Sequence, residues 1–206
     1  MRAGFIALAA VVTGASGPAW GVVVTFEPLV TNTQYGQNFG SSPGDLILTE
    51  GGVAVRLANF KQTNGNTSFS LARVQASSIY HPTKNMWENN INLEFDFTGL
   101  GFAVNQVTFK FANQGGIDNM GINGSALYVG TLATAPATIN AIGVSVVPNV
   151  GQVAGTVTLT GSIRTLVVGG QEFSIDTITA TPAPGGLVTA LLGAGLLAGR
   201  RRVRPE

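Results

Sequence analysis

The chain has 206 residues, a formal net charge of +1 and few charged side chains, which make up 10% of the sequence. It contains no cysteine, which excludes disulfides, thiolate metal sites and cysteine nucleophiles. Its single histidine, His81, excludes a multi-histidine metal centre and leaves a serine-type catalytic triad one candidate base.

The N-terminus has the pattern of a secretory signal peptide. Met1 and Arg2 form a short positive segment, residues 3–14 are apolar, and small residues follow up to Gly21. This pattern predicts export through signal peptidase, with cleavage near Gly21. We therefore assign residues 1–21 to the signal peptide; a buried N-terminal strand is the alternative.

The body, residues 22–181, has the length of one domain with its own core. Once the signal peptide and the C-terminal arginines are set aside, it keeps six basic and nine acidic residues, a net charge of −3. No basic patch remains to neutralise phosphates, so nucleic-acid binding is not expected.

Apolar and polar residues alternate in several segments of the body, as they do in half-buried β-strands. In residues 91–97 the apolar side chains fall on one face, and Asn92, Glu94 and Asp96 fall on the other. The same period appears in residues 107–112, in residues 156–160 and in the segment from Phe173 to Ile178. No window has the apolar spacing of an amphipathic helix.

Turn residues separate these segments. Asn64-Gly65 and Asn123-Gly124 are hairpin signals, because a type I′ turn needs a positive φ at both central residues. About ten short strands with such punctuation, and no internal repeat, predict an all-β fold, a β-sandwich with a jelly roll as the expected subtype.

Two patterns resemble hydrolase sites but favour structural interpretations. Ser42 lies at the centre of a G-x-S-x-G match, yet Pro43-Gly44-Asp45 follows as a turn, without the helix that a nucleophile elbow needs. Glu94 and Asp96 lie about 7 Å apart on one strand face, within the range of glycosidase carboxyl pairs. The motif resembles that of jelly-roll glucanases but lacks their third carboxylate, so a solvated strand face is favoured.

The first and last strands of the body each carry a carboxylate beside apolar residues. Thr25-Phe26-Glu27 and Ser174-Ile175-Asp176 resemble motifs of carbohydrate-binding jelly rolls. The resemblance implies that Glu27 and Asp176 hold a structural Ca²⁺ with backbone carbonyls, which suits the oxygen ligands of this ion. Two unrelated surface acids are the alternative. Asp45 and Asp118, each in a glycine-rich turn, are further candidate ligands.

Residues 78–90 read as a long loop that contains Tyr80 and Trp87. An aromatic ring flanked by Asn and Glu is typical of a sugar-binding cleft, where the ring covers the apolar face of the sugar and amides bind its hydroxyls. An aromatic cover over one end of the core is the other interpretation. We name Tyr80 and Trp87 as candidate ligand-binding residues.

The C-terminal segment, residues 182–206, has three parts. Pro182, Ala183 and Pro184 form a turn, residues 185–199 are apolar, and an arginine cluster follows, comprising Arg200, Arg201, Arg202 and Arg204. Arginines beside an apolar span stay on the cytoplasmic side, so the body faces outward. As a helix the span covers only about 22 Å, less than a ~30 Å hydrocarbon core, which suits a transient signal.

This segment resembles the PEP-CTERM sorting signal of Gram-negative bacteria, in which a Pro-Glu-Pro motif precedes a transmembrane helix and an arginine cluster. Ala183 departs from the family, which usually has Glu at that position. The resemblance implies cleavage by an exosortase and delivery to the cell surface or an extracellular matrix; a plain tail anchor is the alternative.

Together these observations predict an exported, non-enzymatic protein of the cell envelope or extracellular polysaccharide matrix, with a structural or adhesive role. Exopolysaccharide is the expected partner, and the membrane is contacted only transiently, through the C-terminal helix. The alternatives are a carbohydrate-binding module with structural Ca²⁺ and a glycoside hydrolase.

Overall fold

The structure is a computed structural model, in which residues 21–149 and 151–182 are described. The predicted signal peptide up to residue 20, the predicted C-terminal helix, and the predicted sorting residues Ala183, Pro184, Arg200, Arg201 and Arg202 lie outside the described residues. Among the described residues, no helix is long and apolar enough to cross a bilayer.

Sixteen strands follow one another in the described chain. Their bounds are β1 Val22–Val24, β2 Gln34–Tyr35, β3 Leu46–Glu50, β4 Val53–Lys61, β5 Thr67–Ser68, β6 Leu71–Gln75, β7 Asn85–Asn89, β8 Ile91–Asp96, β9 Val104–Asn113, β10 Asp118–Ile122, β11 Tyr128–Gly130, β12 Thr138–Ile139, β13 Ile142–Pro148, β14 Ala154–Ile163, β15 Thr165–Gly170 and β16 Phe173–Pro182. Two 3₁₀ turns span Gln37–Phe39 and Leu132–Thr134. The predicted all-β class is confirmed, with more short strands than the ten expected.

The strands form two antiparallel sheets that share one core. The nine-stranded sheet has the order β12-β13-β14-β9-β16-β7-β6-β2, with β1 paired to β16. The seven-stranded sheet has the order β11-β10-β15-β8-β4-β3, with β5 paired to β4. One hydrophobic cluster draws residues from both sheets, which makes the fold a β-sandwich.

Phenylalanines from both sheets fill the core at the positions that the alternation predicted. Phe95 of β8, Phe109 and Phe111 of β9, and Phe173 of β16 are fully buried. The rings of Phe111 and Phe173 stack at 6.2 Å between centroids. Each buried ring contributes about 2–3 kcal/mol of transfer free energy.

A bulge in β16 explains why its apolar spacing departs from two. Thr177 has a φ of 52°, and the register with β9 shifts between Asp176 and Thr179. The extra residue returns Ile178 to the buried side after Phe173 and Ile175.

Both hairpin signals lie between paired strands, but only one has the predicted turn geometry. Asn123 and Gly124, between β10 and β11, have φ values of 55° and 73°. Between β4 and β5, Gly65 has a φ of 87°, whereas Asn64 keeps a negative φ and its Oδ1 accepts from Asn66 N at 2.9 Å. The type I′ prediction was therefore wrong at Asn64, where an Asx turn forms instead.

The first and last strands of the body are neighbours. Val22 is paired with Ala180 and Val24 with Ile178. β1 begins at Val22, and β16 ends at Pro182, the first residue of the predicted sorting motif.

Candidate functional site

Three connections cross from one sheet to the other at the same end of the sandwich, which we call the crossing end. Asn90 joins β7 to β8, residues 114–117 join β9 to β10, and Gln171 with Glu172 joins β15 to β16. Both Asn90 and Glu172 have a positive φ, of 52° and 50°, which lets the chain turn sharply between sheets.

Backbone hydrogen bonds hold these three connections together. Asn90 N donates to Gly170 O, Gln171 N donates to Ile117 O, and Gln114 N donates to Glu172 O, each at 2.9 Å. The side chains at this end therefore project from a braced framework rather than from independent loops.

The outer surface of the crossing end carries a pocket of about 320 Å³, which we call the amide pocket. Its lining is polar and comprises Asn89, Asn90, Gly115, Gly116, Gln171 and Glu172. Gln171 Nε2 donates to Asn90 Oδ1 at 3.0 Å, and Asn90 Nδ2 donates to Asn89 Oδ1 at 2.6 Å. This chain fixes the orientation of the three amides.

Glycine is required on one wall of the pocket. Gly116 has a φ of 78°, and a Cβ there would lie 2.6 Å from Gln171 Cβ. A Cβ on Gly115 would lie 2.7 Å from Glu172 Oε2. A side chain at Gly116 would displace Gln171, whereas one at Gly115 would require only the flexible Glu172 carboxylate to move.

Asn113 connects the pocket to a layer of buried polar residues. Its Oδ1 accepts from Gly115 N at 2.8 Å, and its Nδ2 donates to Asp118 Oδ1 at 2.8 Å. Asp118 Oδ2 accepts from Leu132 N at 2.8 Å. Burial raises the pKa of Asp118 to about 6, although these two hydrogen bonds act against the rise.

Asn119 lies at the centre of the buried layer. Its Oδ1 accepts from Lys61 N at 2.6 Å and from Asn92 Nδ2 at 3.2 Å, and its Nδ2 donates to Lys61 O at 2.9 Å. Asn92 Nδ2 also donates to Asn59 O at 2.7 Å. Glu88, Asn92 and Asn119 are all fully buried.

Sequence reasoning named Asp118 as a candidate Ca²⁺ ligand in a glycine-rich turn, but it predicted no buried polar layer. Asn92 falls in the polar phase of the β8 alternation, which assigned it to solvent, and Glu88 was assigned to a loop. The dense Asn and Gly content of residues 113–119 was the one available signal, since buried amides need several partners and glycines give them room.

The candidate calcium ligands Glu27 and Asp176 contact Lys84 and Thr83, respectively, which are consecutive in sequence. Glu27 is exposed; its Oε1 accepts from Lys84 N at 3.1 Å, and its Oε2 lies 3.8 Å from Lys84 Nζ. Asp176 is buried, and its oxygens accept from Thr83 Oγ1 and Thr177 N, each at 2.7 Å. The other candidate, Asp45, accepts from Ser42 N at 2.7 Å. Calcium binding by these residues stays a prediction.

Trp87 lies on β7 and not in a loop, which corrects the interpretation of residues 78–90. The sequence did not reveal this strand because β7 carries polar residues at both ends, Asn85 and Asn89. The Arg73 guanidinium lies 5.3 Å from the centroid of the partly buried Trp87 ring and covers one of its faces. Tyr80 is partly buried in the preceding turn, where its N–H donates to Ser78 Oγ at 3.3 Å.

His81 contacts a serine inside the protein. Its Nε2 lies 3.1 Å from Ser174 Oγ, and both residues are 1% exposed. Burial lowers the pKa of His81, while Asp176 acts in the opposite direction. His81 Nδ1 has no hydrogen-bond partner in the described part of the chain, so the bond to a carboxylate that would complete a triad is not made there.

The two hydrolase-like patterns have structural surroundings. Ser42 lies in the turn before β3 and not before a helix, as expected. Glu94 is paired with Arg56 across β8 and β4, and Asp96 Oδ1 accepts from Thr98 N and Oγ1 at 2.9 and 2.6 Å. Within residues 21–149 and 151–182, no three His, Cys, Asp or Glu side chains form a metal-binding group.

Comparison with known proteins adds no relative: no family model, curated protein or solved structure matches the chain.

Proposed function

We propose that the protein is an exported, surface-sorted and non-enzymatic component of the cell envelope or extracellular polysaccharide matrix. We further propose that its β-sandwich binds neutral glycan at the amide pocket. The observation that carries this proposal is the fixed chain of amides at Asn89, Asn90 and Gln171. Amides oriented in advance offer both donors and acceptors to sugar hydroxyls without ordering cost at the moment of binding.

The aromatic residue predicted to contact sugar adjoins this pocket. Trp87 precedes Asn89 by two residues on β7, so both side chains leave the same face of the strand, about 7 Å apart. We infer that glycan lies across the pocket and extends toward Trp87.

The position of the pocket agrees with sorting through the C-terminal signal. β16 runs from Phe173 at the crossing end to Pro182, ten residues that extend over about 30 Å. Pro182, where the predicted sorting motif begins, therefore lies at the end of β16 opposite the amide pocket. Signal peptidase and an exosortase are the processing partners in this proposal.

The non-enzymatic assignment is supported by the surroundings of the reactive side chains. Ser174, the serine that contacts His81, is 1% exposed and cannot meet a substrate without opening of the fold. Glu94 has an arginine opposite it rather than a second carboxylate. Turnover of a glycoside by the wild type that is lost in Glu94→Gln would support the glycoside hydrolase alternative instead.

The jelly-roll subtype is part of the proposal. β9 and β16 are neighbours in one sheet, β10 and β15 are neighbours in the other, and the connections β9–β10 and β15–β16 cross at the same end. Paired crossings of this kind favour the jelly-roll subtype.

Retention on immobilised neutral polysaccharides tests the binding proposal. We expect Gln171→Ala and Asn89→Ala to reduce retention at least tenfold, and retention to be nearly independent of salt because few ion pairs are involved. Gln106→Ala is the matched control, since this exposed glutamine lies on β9 seven residues from Asn113 and the crossing end. Equal retention of all three variants would refute a role for the pocket.

Processing is tested separately by mass spectrometry of the protein recovered from the cell surface. We expect a C-terminus between Pro182 and Gly185, because the sorting signal is removed on delivery. Recovery of the intact chain ending at Glu206 would contradict cleavage and favour a plain anchor.

A further inference from the structure

Glu88 is a buried carboxylate without a partner. It is fully buried, and both of its carboxyl oxygens lack a hydrogen-bond donor in the described part of the chain. Burial raises the pKa of Glu88 well above its ordinary value, and the neighbouring Asp118 carboxyl adds to the rise. A carboxylate in such surroundings needs either a proton or a cation to offset the cost of desolvation.

Two further oxygens converge on the same place. Glu88 Oε2, Ile91 O and Asn92 Oδ1 all lie within 2.6 Å of the point where a Cβ on Gly169 would stand. Asn92 Oδ1 is likewise buried and without a donor. Its orientation is set by the other end of the amide, whose Nδ2 donates to Asn59 O and Asn119 Oδ1.

Gly169 makes this convergence sterically allowed. Any side chain at this position would overlap the three oxygens. On the adjacent residue, Gly170, a Cβ would lie 2.8 Å from Asp118 Oδ1, so the second carboxylate comes close to the same strand. The Gly169-Gly170 pair therefore lets an electron-rich group of oxygens approach β15.

We propose that Glu88, Asn92 and the Ile91 carbonyl form a buried cation site that binds Ca²⁺. Glu88 can supply two oxygens, Ile91 and Asn92 supply one each, and Asp118 brings a second negative charge nearby. A set of carboxylate, amide and carbonyl oxygens is the chemistry that Ca²⁺ prefers, whereas nitrogen and sulfur ligands for transition metals are lacking in this set. Ca²⁺ binding at this site requires neither bound glycan nor the Glu27–Asp176 pair.

The site explains why the crossing end needs a polar interior. Glu88 and Ile91 flank Asn89 and Asn90 in sequence, and Asn89 and Asn90 line the amide pocket. An ion held below the pocket would brace the β7–β8 crossing. It would enter the site from solvent through the pocket, past Asn89 and Asn90.

The full chain purified in detergent, stripped with EDTA and then titrated with CaCl₂, tests the proposal. We expect Ca²⁺ to raise the melting temperature by several degrees, with one ion retained per chain by elemental analysis. Glu88→Gln should abolish the rise, because it removes the charge at nearly constant shape, and Asp176→Asn should keep it. A wild-type melt that is unchanged by EDTA and Ca²⁺, with no retained metal, would overturn the site and leave Glu88 protonated.

Asn92→Asp keeps the test decisive if Glu88→Gln does not fold. The added carboxylate should make the melt more strongly Ca²⁺-dependent than that of the wild type, since a cation offsets the extra charge. A melting temperature of Asn92→Asp that depends on Ca²⁺ no more strongly than that of the wild type would contradict the proposal. A Ca²⁺ response lost in Asp176→Asn but kept in Glu88→Gln would also contradict it, because the ion would then lie at the Glu27–Asp176 pair.

Discussion

At the scale of single residues, buried amides take the place of apolar contacts at the crossing end. Asn119 contacts both partly buried backbone groups of Lys61 and the buried side chain of Asn92, so three polar groups depend on one side chain. Hydrogen bonds of this kind contribute modestly when made but cost about 1–3 kcal/mol per buried group when one partner is removed.

Asn119→Ala should therefore lower the free energy of unfolding by about 3 kcal/mol, since it leaves Lys61 N–H, Lys61 C=O and Asn92 Nδ2 short of a partner. Urea denaturation measures the change. Asn105→Ala is the control, because the Asn105 side chain makes only a 3.4 Å bond to Ala103 O near solvent and should change stability by less than about 0.5 kcal/mol. Similar losses in both variants would show that the buried network is not the cause.

The single histidine gives a pH dependence with a defined sign. Burial lowers the pKa of His81 below 6.5, so the unfolded chain binds the proton more tightly than the folded chain. Protonation therefore favours unfolding, and the contribution of His81 to stability falls as the pH decreases below about 6.5.

His81→Gln isolates this contribution, because glutamine can still donate to Ser174 Oγ but does not titrate. Relative to the wild type, the variant should become progressively more stable as the pH is lowered from 7 to 5. A stability difference that stays constant over this range would contradict the prediction. The difference between the stabilities of the variant and the wild type also removes the contribution of Asp118, which has the opposite sign. Because folding raises the pKa of Asp118, ionisation of this group between about pH 4 and 6 destabilises the protein.

The alternation of residues predicted which side chains of β8, β9 and β14 enter the core, because the period of a strand is two and one face is apolar. It could not predict that Asn92, on the opposite face, is also buried. Burial there depends on Asn119 and on the backbone of Asn59, partners 27 and 33 residues away. Local pattern contains no information on such distant contacts.

At the scale of elements, β16 shows how a strand keeps its apolar side buried past an irregularity. The spacing of Phe173, Ile175 and Ile178 could be seen in the amino-acid sequence. The bulge at Thr177 could not, because it requires a positive φ that β-branched residues disfavour. Pairing with β9 on one side and with β1 and β7 on the other fixes this conformation, so local preference is overridden by the sheet.

Thr177→Gly should stabilise the protein by up to about 1 kcal/mol, since glycine adopts a positive φ without steric cost. The matched variant Thr179→Gly, two residues further along β16 in ordinary strand conformation, should destabilise by about 1 kcal/mol. Chemical denaturation of the two variants under one set of conditions makes the comparison. Destabilisation of equal size in both would show that Thr177 is not strained.

At the scale of the whole molecule, the two ends of the sandwich have different roles in our account. Pro182 and β1 lie at one end, and the amide pocket with its buried polar layer lies at the other, separated by the length of β16. Sequence alone predicted the fold class and the terminal signals. It predicted a sugar contact in a loop around Trp87. It could not predict the amide pocket, because Asn89, Gly115 and Gln171 come from three separate parts of the chain and meet only in the folded domain.

Side-chain amide chemical shifts report directly on whether the crossing end binds neutral glycan, as we propose. In an NMR titration of the full chain in detergent with a soluble neutral oligosaccharide, we expect the amide signals of Asn89, Asn90 and Gln171 and the Trp87 indole signal to move together. The Gln106 amide should stay in place. Shifts confined to other parts of the domain, or no shifts with any neutral oligosaccharide, would contradict the account.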